Sequence, residues 1–328
     1  MATKLRLELH RITLQKKIEG ERYPKLETRN FSEFINLFDS DRKTALSLLW
    51  TRFVEEFENK FSISLEGDKA VTASENCEHC VSTENSSIDG ELYGGPTNRE
   101  QSIYKQGNAS KTINKVDTDD VVSSKFYIKL WLPYDYSTGV LMIQSYTTSN
   151  ISDLIRDQFA KFVQKYGYKL TITSYYPKSF MEERNKRSNV VAVSYVKDKL
   201  SKGKLKLIHP LFAEFDDLKI KIEISGFKTS VSDFRKRFKN NGEPLGIDIN
   251  ELGLRKEDVT VVAKYVDDEG RSTTMNIDEN RVRNFAYYIL PEEILQSGKN
   301  TYVFDEIKKH TDSILREIKQ EIGYSRQK

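Results

Sequence analysis

Hydrophobic and polar positions along the chain change rhythm several times, and each rhythm predicts an element. Leu5, Leu7 and Leu9 alternate with Arg6, Glu8 and His10, and Ile12 and Leu14 continue the period of two. This pattern predicts an opening strand with one buried face. A polar stretch with Pro24 follows, then Asp39-Ser40-Asp41, a helix-start signal. The helix it opens is expected over about 41–60, with Leu46, Leu49, Trp50, Phe53 and Phe57 forming one buried stripe at intervals of three and four. Phe61 to Leu65 alternates again as a short strand.

The rhythm then fades. Of the 58 positions from 67 to 124, only 11 are Val, Ile, Leu, Met, Phe, Trp or Tyr, and ten acidic residues face five basic ones. So little apolar area does not offset the entropy of ordering a chain. The segment therefore reads as a flexible acidic insertion or linker, able to lie over a basic surface and screen it.

Folded character returns at Lys125. Phe126 to Leu132 and Val140 to Tyr146 flank Pro133–Gly139, a hairpin signal. Asn150 and Ser152 are capping residues for a helix with stripe Ile151, Ile155, Phe159, Phe162 and Tyr166, stopped by Gly167. Strands are expected at about 168–176 and 189–197, with a polar helical segment between them. Further strands are expected at Leu218–Ile224, Val259–Val266, Ser272–Ile277 and Phe285–Leu290. Ser230 can cap a short basic helix, and the chain closes with a charged helix at about 303–322, its stripe Ile307, Thr311, Ile314, Ile318 and Ile322.

This order of elements predicts an α+β fold, a mixed, mostly antiparallel sheet with packed helices. The expected organisation is a strand–helix–strand lobe over 1–66, the insertion over 67–124, and a main domain over 125–328. The narrow stripe of the last helix suggests packing across domains or against a second copy of the chain.

Composition narrows the function. The chain has 328 residues, 38% hydrophobic, with 52 Lys+Arg against 49 Asp+Glu, a net charge of +3. That near-balance leaves any polyanion binding to local patches. The longest apolar runs fall far short of the roughly 20 residues a bilayer span needs. The opening residues carry no apolar signal core, and two Cys make no disulfide framework, so a soluble cytoplasmic protein is expected.

Candidate chemistry is sparse. Cys77-Glu-His79-Cys80 has the spacing of half a zinc site, but no second Cys pair completes it, and its acidic flanks raise thiol pKa values. No phosphate-loop, dinucleotide or nucleophile-elbow motif is present. Asp217-Leu-Lys219 heads an alternating strand with Glu214 upstream. Carboxylates there would hold Mg²⁺ and Lys219 would stabilise phosphate charge, the arrangement of a metal-dependent phosphodiesterase. Such triplets are common in a chain with 31% charged residues.

Local charge gives the stronger signal. From Lys178 to Lys206 nine basic residues, among them Arg184, Lys186, Arg187, Lys202 and Lys204, face three acidic ones. From Lys228 to Lys239 five, including Arg235, Lys236 and Arg237, face only Asp233. On one face they would displace counterions from nucleic-acid phosphates, and Tyr175 and Tyr176 would offer stacking surfaces. The leading expectation is thus a non-catalytic nucleic-acid-binding protein, of the kind found in bacterial accessory or antiviral defence systems. The alternatives are an oligomerising protein–protein interaction module and a Mg²⁺-dependent nuclease.

Overall fold

The computed structural model describes residues 4–18, 25–57, 60–74, 77–105, 108–147, 150–197, 206, 209–215, 218–234, 236, 260–266, 270, 272–276, 287–296 and 301–324. The fold is α+β, and every pairing of the named strands is antiparallel. The chain forms two units, one from residues 1–175 with 286–328 and the other from 176–285.

The first unit is built on a ten-stranded sheet. Its strands are β1 (Leu5–Lys17), β2 (Leu26–Thr28), β3 (Ser62–Ile63), β4 (Lys69–Thr72), β5 (His79–Ser82) and β6 (Ser87–Pro96). A separate two-stranded hairpin, β7 (Gln101–Lys105) with β8 (Asn108–Val116), precedes β9 (Ser124–Trp131), β10 (Thr138–Tyr146) and β11 (Tyr168–Ser174). The main order is β11-β1-β10-β9-β6-β4-β3. The hairpin expected around Pro133–Gly139 is the β9–β10 pair, in register from Val140 opposite Trp131 to Ile143 opposite Ile128.

Three helices cover one face: α1 (Phe31–Ile35), α2 (Arg42–Glu55) and α3 (Ser152–Lys165). Asp41 starts α2, its carboxylate accepting from the Thr44 amide at 2.9 Å. The three helices meet through rings: Phe53 lies 5.4 Å from both Phe159 and Phe162, and Phe34 lies 6.3 Å from Phe162. Gly90 on β6 makes room for α2, since a Cβ there would lie 2.1 Å from the Trp50 ring. The opposite face carries the C-terminal helix, whose buried side is Phe304, Ile307, Thr311, Ile314, Leu315 and Ile318.

The second unit has its own core of Val190, Val193, Tyr195, Val231, Phe234, Val261, Ala263 and Tyr265. Helix α4 (Lys178–Arg187) leads into a four-stranded sheet of β12 (Asn189–Lys197), β13 (Ile220–Ser230), β14 (Thr260–Val266) and β15 (Ser272–Asn276), ordered β13-β12-β14-β15. The chain then returns to the first sheet through β16 (Tyr288–Ile289), which pairs with β1, and ends in α5 (Phe304–Glu321).

Four expectations change. Segment 67–124 is no free insertion: β4, β5 and β6 belong to the large sheet, and Lys69 Nζ meets the Asp153 carboxylate of α3 at 2.9 Å. Segment 125–290 does not form one sheet, because its strands divide between the two units. Helix α5 spends its apolar stripe on the sheet of its own unit, with Ile307 and Ile318 buried there. Strand β1 is also covered on both faces, Leu7 on one and Ile12 on the other, rather than on one alone.

Candidate functional site

The cationic tracts are positioned by the second unit's sheet. Asn189, which opens β12, pairs with Ser230, which closes β13. The Val231 amide then donates to the Ser188 carbonyl at 3.0 Å. The end of α4 and the helical turn at 231–234 are thereby held side by side. Ser230 Oγ accepts from the Asp233 amide at 3.1 Å and donates to its carboxylate at 2.8 Å, the cap expected from the sequence. Between the two pairings the register slips: Val190 faces Thr229, but Ala192 faces Ser225. Three residues, 226–228, therefore stand opposite Val191 alone, and Gly226 with φ of 98° allows the bulge. Phe227 turns inward against Phe234 with ring centres 6.2 Å apart, and Lys228 is exposed.

Lys186, Arg187, Lys228 and Lys236 thus sit on segments that converge at one end of the small sheet, and all four are exposed. Lys186 and Arg187 occupy the last turn of α4, where the helix dipole favours positive charge. Among the described side chains, Glu182 and Asp233 are the exposed acids of the same two segments.

The other tract residues distribute differently. Lys178 is exposed at the opposite end of α4. Lys197 closes β12, eight residues from Asn189, which at about 3.3 Å per residue is roughly 26 Å away. Lys186 and Lys197 are therefore held apart by the length of β12. Lys206 is exposed, while Lys202, Lys204, Arg235, Arg237 and Lys239, and the side chain of Arg184, lie outside the described residues. Tyr175 follows β11 in the first unit, half-buried against that core, its hydroxyl pushed up to about 12 by burial and by Glu321.

The metal candidates do not assemble. Glu214 closes an exposed 3-10 turn (Pro210–Glu214), Lys219 is exposed ahead of β13, and Asp217 lies outside the described residues. Cys77 Sγ accepts from the Ser74 amide at 3.3 Å, and burial pushes its thiol pKa up, against thiolate formation. Cys80 faces Asp89 across β5 and β6, while His79, one residue earlier on the strand, is exposed. Among the described residues no group of three or more His, Cys, Asp or Glu could hold a metal ion.

Sequence reasoning missed a buried ionic cluster beneath α5. Register places Asp89 opposite Lys129 and Glu91 opposite Tyr127, all four on the α5 face. Lys129 Nζ lies 2.6 Å from Asp89 Oδ1 and 2.7 Å from Asp312 Oδ1, and its side chain is fully buried. The Tyr127 hydroxyl donates to Asp89 and lies 2.8 Å from Thr311 Oγ1. Burial pushes the Asp89 carboxyl up despite the nearby Lys129 ammonium, and pushes the Tyr127 hydroxyl far up. Next to it, Glu91 accepts from Lys125 Nζ at 3.0 Å, Tyr302 Oη at 2.9 Å and the Glu78 amide at 3.1 Å. Burial acts against the Lys125 charge, but Glu91 more than compensates and the Lys125 pKa is raised. Each charge here is consumed by another, so the cluster clamps α5 to β6 and β9 rather than presenting a reactive group. The alternation of Asp89, Glu91, Tyr127 and Lys129 along two strands was the available signal.

No described helix is long and apolar enough to cross a membrane. No protein family, curated protein or solved structure matches the chain.

Proposed function

We propose that the chain is a non-catalytic nucleic-acid-binding protein that engages the phosphate backbone through the basic end of its second unit. The observation supporting this reading is the pairing of Asn189 with Ser230, closed by the Val231–Ser188 hydrogen bond. It brings Lys186, Arg187, Lys228 and Lys236 from two distant stretches of sequence to one end of one sheet. Clustered, exposed ammonium and guanidinium groups gain affinity by releasing counterions condensed on phosphates, whatever the base sequence. Sequence-independent backbone binding also suits a chain whose net charge is only +3, since the attraction is local.

Fluorescence anisotropy with a labelled duplex and a labelled single strand tests the proposal. Reversing Lys186, Arg187, Lys228 and Lys236 to Glu is expected to weaken binding by roughly tenfold or more at low salt. Reversing Lys43, Lys161 and Lys169, exposed on the first unit, leaves it unchanged. Wild-type protein that binds neither probe, or a reversed variant that binds equally well, overturns the proposal.

A further inference from the structure

We propose that the outer edge of β11 pairs with β11 of a second copy of the chain, antiparallel and centred on Thr171, so that two large sheets become one. Strand β11 is the outermost strand of the ten-stranded sheet and pairs only with β1 among the described strands. The Tyr175 amide donates to the Leu9 carbonyl at 2.9 Å, which sets the phase of the ladder. Lys169, Thr171 and Thr173 therefore turn their backbone groups toward β1. Tyr168, Leu170, Ile172 and Ser174 turn theirs toward the open side, a row of donors and acceptors that templates another strand.

Such edges are ordinarily blunted by shortness, bulges or proline. The outer strand β3 has two residues, β15 has five, and β13 carries the bulge at 226–228. Strand β11 has none of these devices: its seven residues contain no Pro or Gly, and it follows β1 without a register shift. Its sequence also suits its own reverse. Centring on Thr171 pairs all seven residues, with Tyr168 opposite Ser174 and Leu170 opposite Ile172 as the hydrogen-bonded pairs. Lys169 then faces Thr173 and Thr171 faces itself, so no like charges stand opposite each other. A two-fold axis needs this self-complementarity.

The flank of the strand agrees. A groove of about 790 Å³ opens beside Tyr168 and Leu170 and is walled by α3 residues including Asp157 and Lys161. Asp157 and Lys161 are exposed, one helical turn apart, and have no ion-pair partner among the described residues. The two-fold axis lays α3 antiparallel to α3 of the second copy across this groove, setting Asp157 of each copy toward Lys161 of the other.

Sedimentation velocity of the full chain across micromolar concentrations tests the proposal, with a concentration-dependent dimer expected. Thr171 is half-buried at the edge, so Thr171→Glu and Thr171→Lys each set like charges opposite one another. Each variant alone should dimerise about fivefold more weakly at low salt, and an equimolar mixture of the two should regain the loss. Asp157→Lys, away from the strand, should also weaken the dimer, and adding Lys161→Asp should restore it. A wild type that remains monomeric, homodimers of both Thr171 variants as tight as wild type, or a mixture no tighter than its components overturns the proposal. The measurement contains no nucleic acid, and a probe short enough for one basic end is indifferent to the pairing, so the two readings fail separately.

Discussion

The two charged regions use the same residue types for opposite ends. Beneath α5, Lys129 is fully buried and held between Asp89 and Asp312 at 2.6 and 2.7 Å. At the end of the small sheet, Lys186, Arg187, Lys228 and Lys236 are exposed. A buried pair makes little net gain against desolvation, but losing one partner strands the other. Exposed cations contribute little to stability. Charge in the first region therefore fixes where α5 docks, and charge in the second forms a surface.

The sharpest way to break this contrast is to remove Lys129. Lys129→Met leaves Asp89 buried and unpaired and should cost about 3–5 kcal/mol in urea denaturation. Adding Asp89→Asn to it should recover part of that loss, the mark of a coupled pair. Phe53→Ala, in the ring cluster under α1–α3, should cost a comparable amount, about 3–5 kcal/mol, with no second change able to restore it. Gly90→Ala should cost about 1–3 kcal/mol, because its Cβ would collide with the Trp50 ring. The surface quadruple reversal, by contrast, should shift stability by no more than about 0.5 kcal/mol.

A smaller effect follows from Glu8, buried on β1. Burial raises its pKa, but the nearby His10 and hydrogen bonds from Ser152 and Asn150 more than offset this and hold it below the ordinary carboxylate value. A depressed folded-state pKa gives stability that is present above the unfolded value, about 4.3, and is lost as pH falls through the folded one. Wild type should therefore lose more stability than Glu8→Gln on acidification from about pH 5. Parallel acid-unfolding curves would remove Glu8 from the account.

The comparison also explains what was legible in the sequence. Elements with a periodic apolar stripe were readable close to their true bounds: α2 from its Asp41 start, the β9–β10 hairpin, α3 and α5. Strand β6 was not, although nearly all of it is buried. Its α5 face carries Asp89 and Glu91, and its other face carries Gly90 and Gly94 where Trp50 and Ile151 press close. Polarity and glycine there reflect paired charges and tight helix packing, and composition alone cannot separate these from disorder. The two-unit division escaped for a different reason. The return to the first unit uses β16, only two residues long, joined to β1 by backbone bonds such as Leu290 N to Leu5 O at 3.0 Å. Backbone pairing leaves no side-chain signature.

For the site, the cations were visible as charge runs, but their grouping was not. Lys186 and Lys228 are 42 positions apart and meet through the Asn189–Ser230 pairing, while Lys186 and Lys197, only 11 apart, are separated by the length of β12.

The most direct measurement is the salt dependence of duplex affinity for wild type and the four-site reversal. Four phosphate contacts predict that log K falls with log salt at a slope of about −3 to −4, and that the variant, where binding is still measurable, shows a slope near zero. A wild-type slope near zero, or the same steep slope in both proteins, would contradict a phosphate-binding surface at the end of the small sheet.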